Sequence, residues 1–139
     1  MNKTWDEIKD LKSGDTIHDE YREGIRFIVL RGPSSLCAYV GVPESHPLAG
    51  FDYDDMPSID CHGGLTFSSA GKDRWPTGWW WYGWDYSHGG DYSFYYDDTP
   101  LARADDRKWL LDDVIKDSEC AIDEFIKFCR FAERIKAKP

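Results

Sequence analysis

No stretch of this 139-residue chain approaches the roughly 18 to 20 consecutive apolar residues of a membrane span, so no membrane partner is expected. Its first residues, Met1-Asn2-Lys3-Thr4-Trp5-Asp6-Glu7, lack the basic region and apolar core of a secretory leader, and a cytoplasmic location is expected. Cysteine is sparse: Cys37, Cys61, Cys120 and Cys129 form no CxxC pair and no zinc-ribbon spacing. Cys120 and Cys129 fall on one expected helix, about 13 Å apart along its axis, too far for a disulfide. Reduced, mostly buried thiols are expected at Cys37, Cys120 and Cys129. Cys61 stands apart because His62 follows it. Internal repeats and low-complexity segments are also missing, and the length suits one domain over residues 1–139.

Positive charge is scarce in the middle of the chain. Residues 31–100 carry Arg31, Lys72 and Arg74 against ten carboxylates, whereas residues 101–139 balance at nine of each sign. Most of the net charge of −9 therefore belongs to one segment. This argues against a duplex or single-strand nucleic-acid groove, whose affinity comes from Lys and Arg on phosphates. A cation, a metal, or a small ligand rich in hydroxyl and amine donors fits better.

What that segment does have is concentrated between Asp60 and Asp91. It opens with Asp60-Cys61-His62-Gly63-Gly64-Leu65-Thr66-Phe67-Ser68 and closes with Trp79-Trp80-Trp81-Tyr82-Gly83-Trp84-Asp85-Tyr86-Ser87-His88-Gly89-Gly90-Asp91. A His-Gly-Gly triplet stands at each end, and five of the seven tryptophans lie between Trp75 and Trp84. Glycines beside histidines let the backbone come close to something. Aspartates and aromatic rings give it edges and faces.

The surrounding chain reads as α+β. Thr4-Trp5-Asp6-Glu7 is a capping box for a short helix presenting Trp5, Ile8 and Leu11, with Gly14 as its stop. Ile25–Leu30 and Leu36–Val42 read as strands of a hairpin joined at Gly32-Pro33-Ser34-Ser35. Residues 43–60 form a long loop, in which His46 is expected to face solvent. Leu65–Ser68 and Trp79–Tyr86 read as further strands, and Tyr92–Tyr96 as a fifth. Lys108-Trp109-Leu110 either closes the sheet or opens a helix. From about Asp112 to Lys136 a 3.6-residue period, through Leu111, Val114, Ile115, Ile122, Phe125, Ile126, Cys129 and Ala132, predicts a long helix. The expected architecture is a mostly antiparallel sheet with that helix packed on one face.

Alternation along Trp79–Tyr86 puts Trp79, Trp81, Gly83 and Asp85 on one face and Trp80, Tyr82, Trp84 and Tyr86 on the other. One face can pack beneath the helix. The other lines a cleft, sits at an interface or lies under a loop. An exposed Trp-rich strand would also suit a homodimer.

His62 serves as a general base, a metal ligand or a hydrogen-bond donor, or else packs under a tight Gly-Gly turn. A turn at Ser87–Gly90 would bring Asp85, His88 and Asp91 together, with Asp85 or Asp91 fixing the His88 tautomer. Without HExxH or HxH spacing, whether metal is bound stays open. Thr66 and Ser68 share a side of their strand, but no Ser-His-Asp spacing makes either a nucleophile. Cys61 beside His62 is a weak nucleophile pair, since adjacent residues on extended chain point apart.

Taken together, Tyr39-Val40-Gly41-Val42-Pro43, His46-Pro47-Leu48, Asp60–Ser68 and Trp80–Asp91 resemble a group of small phage and prophage proteins. These carry a His-Gly-Gly-Leu-Thr segment and a later Trp-Trp-aromatic-Gly-aromatic-Asp…His…Gly-Asp segment. The likeness spans roughly residues 36–92, with Tyr86 and the second glycine after His88 as variants within the pattern. It implies a phage accessory gene outside the virion structural core. Such small accessory proteins often act against host defence, in some cases by sequestering or cleaving nucleotide second messengers.

The expected function is capture of a small nucleotide- or nucleoside-like ligand, a sponge with bases stacked on Trp81 or Trp84. Asp60, His62, Thr66, Asp85, His88 and Asp91 would hold its polar groups, and Arg74 would offset phosphate charge. The first alternative is a hydrolase or phosphodiesterase with His62 and His88 as acid and base and Asp85 beside them. No cofactor is expected in either case, with a divalent metal left open. The second alternative is an acidic protein–protein inhibitor.

Overall fold

The fold opens on the capping box. In the computed structural model, which describes residues 2–137, the Thr4 hydroxyl accepts from the Glu7 N–H at 3.2 Å and the Glu7 carboxylate from the Thr4 N–H at 3.0 Å. These bonds start α1 (Trp5–Lys9), which is short enough to persist only by docking its buried Trp5 and Ile8.

Strand β1 (Thr16–Arg22) follows, and the sequence leaves it unmarked. Its residues are exposed or half-buried and mostly polar, so it shows no apolar run. It is an edge strand held by its ladder to β2 (Ile25–Arg31) and by the two-pronged Asp19–Arg26 pair at 2.9 and 2.6 Å. Glu23 and Gly24 turn the chain with φ of 47° and 88°, the two positive angles that a two-residue hairpin of matching twist requires. Next, β2 forms the expected hairpin with β3 (Leu36–Pro43).

The remaining strands are β4 (Phe67–Ala70) and β5 (Trp79–Asp85), giving one antiparallel sheet in the order β1-β2-β3-β5-β4. The third expected strand thus lies two residues further on than Leu65–Ser68. The Gly63-Gly64 turn reaches past Leu65, and pairing begins only where Thr66 N–H meets the Gly83 carbonyl at 2.9 Å.

The faces of β5 divide as alternation predicts. Tyr82, Trp84 and Tyr86 join Phe27, Val29, Ala38 and Val40 in the main core, beneath the long helix α2 (Leu111–Ala137). On the opposite face Trp81 packs with Ile28, Leu30 and Tyr39 under Phe67, Trp75 and Trp79. Two directly paired positions, Tyr39 with Gly83 and Gly41 with Trp81, explain the strand glycines. A side chain at Gly83 would come within 2.3 Å of the Tyr39 ring, and one at Gly41 within 2.8 Å of Trp81. The rings lie across the sheet because the glycines leave room.

Several expectations need correction. Tyr92–Tyr96 is not a strand: it runs through turns, with the Phe94 N–H on the Ser34 carbonyl and the Tyr95 N–H on Ser93 Oγ. Lys108-Trp109-Leu110 does not close the sheet; after a lone Asp91–Arg107 bridge among the described residues it leads into the helix, with the Leu110 carbonyl accepting from the Val114 N–H at 3.0 Å and the Leu110 N–H donating to Asp113 at 3.0 Å. The four cysteines are free, but Cys120 is exposed, lying off the inward stripe of Ser118, Ala121, Ile122 and Phe125. His46 does not face solvent. Its side chain is largely buried, Nδ1 accepts from the Leu48 N–H, and Glu133 is its charged neighbour at 3.7 Å.

Candidate functional site

The two His-Gly-Gly triplets meet. Gly63 and Gly64 take φ of 74° and 79° in a turn closed by the Gly64 N–H on the Cys61 carbonyl. A Cβ on Gly63 would lie 2.4 Å from the His88 ring, so the first triplet's glycine is the floor of the second triplet's histidine. The second turn is closed by the Asp91 N–H on the His88 carbonyl at 2.9 Å. Arg107 then bridges Gly90 and Tyr92 through its backbone N–H and carbonyl, which delivers Trp109 to the same place.

Asp91 is the hub. Its side chain is 5% exposed. One oxygen accepts from His62 Nε2 at 2.7 Å and from the His88 N–H at 2.9 Å, and the other from Trp109 Nε1 at 2.8 Å. Burial alone would push this carboxyl up, but the donors from His88, His62 and Trp109 outweigh it and hold Asp91 below the usual carboxylate range. An ionised carboxylate only accepts, so the His62 ring donates to it from Nε2. The ring is stacked on Tyr86 at 4.7 Å and 11° and leans on Trp109 at 4.9 Å. Tyr86 is itself held, its hydroxyl donating to Asp117 at 2.8 Å and accepting from Trp84 Nε1 at 3.1 Å.

His88 completes the group, 38% exposed, its ring 5.3 Å from that of His62 and steeply inclined to it. Its Nδ1 lies 3.5 Å from Asp91 Oδ2 and 3.8 Å from Asp85 Oδ1. Asp91 therefore orients His62 across the two turns, whereas the sequence places Asp85 or Asp91 as the partner of the His88 ring. Asp85 spends Oδ1 on the Ser87 N–H.

Clefts open on both sides of the cluster. One of about 610 Å³ is lined by His62, Asp60, Cys61, Trp109, Cys120 and the charged set Arg107, Asp113, Lys116 and Asp117. The other, of about 550 Å³, is lined by His88, Asp91, the Gly89-Gly90 backbone, Tyr96, Leu101, Arg103 and Asp106 among others. Arg107 lies over the Trp109 ring at 3.7 Å, with Asp113 at 3.6 Å.

Of the expected residues, His62, His88 and Asp91 come together, and Asp60 lines the His62 cleft, its N–H on Glu124. Thr66 is apart from them, sharing with Asp85 a separate hollow of about 180 Å³. Arg74 is exposed on the loop covering the opposite sheet face, beside Gly14 and over Trp75 at 5.4 Å. Trp81 and Trp84 are corrected outright as stacking platforms: they are 0% and 1% exposed, because each fills a core on its own face of the sheet. The Cys61 thiol is pushed up to about 12 by burial and the carboxylates of Asp60, Asp117 and Glu124, which works against a nucleophilic role. Sequence reasoning misses Trp109, Arg107 and Asp117. Trp109 alone carried a signal, a tryptophan in an otherwise polar lead-in to the helix.

No protein-family model, no curated protein and no solved structure matches this chain. Among the described residues, no helix is long and apolar enough to cross a membrane.

Proposed function

We propose that this chain is a hydrolase of small phosphoesters of the nucleotide class, with His62, His88 and Asp91 as its reacting centre. The observation that carries the reading is the buried Asp91 carboxylate, held 2.7 Å from an imidazole that lines an open cleft. A carboxylate on one ring nitrogen fixes the tautomer, and in the neutral ring the other nitrogen, His62 Nδ1, is the acceptor that would take a proton from water. His88, more exposed and beside it, suits the return of a proton to the leaving oxygen. Arg107 and Lys116 on one side and Arg103 on the other offset the local acidity where phosphate oxygens would lie. If the phage resemblance holds, a host-defence nucleotide messenger is the natural substrate to try first.

Sequestration of an intact ligand is the second reading, favoured by cleft volumes within the range of small-molecule pockets. A homodimer through this strand would have only the half-buried Trp79 and Trp80 to use, since β5 is interior and Trp81 and Trp84 are buried.

The test is incubation of the full chain with cyclic dinucleotides, ADP-ribose derivatives and nucleotides, with divalent metals present, followed by mass spectrometry. Cleavage is expected, falling at least ~100-fold in His62→Gln. Cleavage that survives His62→Gln sinks the hydrolase reading. Intact ligand recovered from a protein of raised melting temperature replaces it with sequestration.

A further inference from the structure

We propose that His62 Nε2, His88 Nδ1 and Asp91 Oδ2 form a binding site for a divalent first-row transition ion of the Zn²⁺ class. The site lies at the reacting centre of the hydrolase reading. It rests on the hydrolase reading for the ion's role but replaces its proton relay, since with the ion bound His62 and His88 would be ligands and the ion would activate the water; its binding rests on geometry alone.

The three ligand atoms lie within 4.8 Å of one another. Zn–N and Zn–O bonds of about 2.1 Å at tetrahedral angles put neighbouring ligand atoms about 3.4 Å apart. His88 Nδ1 and Asp91 Oδ2 already stand 3.5 Å apart, held there by the turn in which Oδ2 accepts from the His88 N–H. His62 Nε2 and Asp91 Oδ2, at 2.7 Å, share a proton that an ion would displace. Two histidines and one carboxylate leave further positions for water and substrate, as in catalytic rather than structural metal sites.

The surroundings support the same assignment. Trp109 Nε1 and the His88 N–H fix the carboxylate from behind, and Tyr86 fixes the His62 plane, as outer-shell partners do at metal centres. Gly63, at positive φ, clears the space into which the His88 ring turns. Asp60, Cys120 and Glu124 also converge on α2, but this second group is largely exposed and has no comparable support, so it serves as the control.

The experiment is calorimetric titration of the EDTA-treated full chain with Zn²⁺, with Co²⁺ absorption reporting the ligand set. One ion per chain is expected, with affinity lowered at least ~100-fold in His88→Ala and in His62→Ala and unchanged in Cys120→Ser. His88→Ala removes a ring that makes no hydrogen bond, so its melting temperature in EDTA should match the parent. Absence of stoichiometric uptake, retention of affinity in His88→Ala, or loss of it in Cys120→Ser overturns the site. Stoichiometric zinc without hydrolysis of any substrate supports the site while removing the hydrolase reading. Hydrolysis unchanged by EDTA, with no zinc taken up, overturns the site and leaves the hydrolase reading standing.

Discussion

At Gly63 the φ of 74° and the His88 ring 2.4 Å from a would-be Cβ impose two separate costs on any substitution. Its neighbour Gly64 has nearly the same φ, 79°, with open space where its side chain would go. Gly64→Ala should therefore cost only the backbone term, about 1–2 kcal/mol. Gly63→Ala should cost that and also drive His88 out of the cluster. The check is a comparison of denaturation midpoints with His88 function, read as turnover or zinc uptake. Both variants should be destabilised, but only Gly63→Ala should lose the function. The two His-Gly-Gly triplets were visible in the sequence as an echo. That one glycine makes room for the other triplet's histidine was not, because the contact spans about 25 residues and depends on two turns meeting.

At the scale of elements, β5 shows how far alternation carries. The assignment of Trp81 and Trp84 to opposite faces is legible in a period of two. Whether a face is open or covered is not, since that depends on α2 on one side and the Trp75 loop on the other. Both tryptophans are core residues, so Trp84→Ala should cost about 3–5 kcal/mol of stability. A ligand-stacking role would instead leave the melting temperature in place and lower only affinity. Thermal denaturation without ligand separates the two. Strand β1 is the opposite case: its polar residues carry no periodic signal, and it forms because β2 offers an unpaired edge and Arg26 a partner for Asp19.

On the scale of the whole molecule, the N-terminal helix is tied to the turns after Asp91 through Asp97. Its carboxylate meets Lys9 at 2.8 Å, the Tyr92 hydroxyl at 2.8 Å and Trp5 Nε1 at 3.3 Å. The Lys9 bond, against some desolvation and with help from Tyr92 and Trp5, lowers Asp97 from an ordinary 3.8 to about 2. A carboxyl depressed on folding stabilises above its unfolded value and loses that contribution as pH falls through its folded one. Asp97→Asn should thus cost on the order of 1 kcal/mol at neutral pH, with the difference shrinking as pH drops from about 4 to about 2. Denaturant titrations of both proteins across that window test it.

The sequence by itself determined the α+β class, the capped first helix, the β2–β3 hairpin and the long amphipathic α2, and it marked the segment that holds the candidate site. Each of these follows from local periodicity or turn chemistry. Tertiary structure alone decided that His62, not His88, is the ring bound to Asp91, and that Trp109 and Arg107 close in from 16 or more residues away. It also decided that the tryptophans are core and that Thr66 and Arg74 lie elsewhere. The physical reason is the same throughout. Residue type and spacing set which side of an element a group faces, but only the packing of elements sets what it faces.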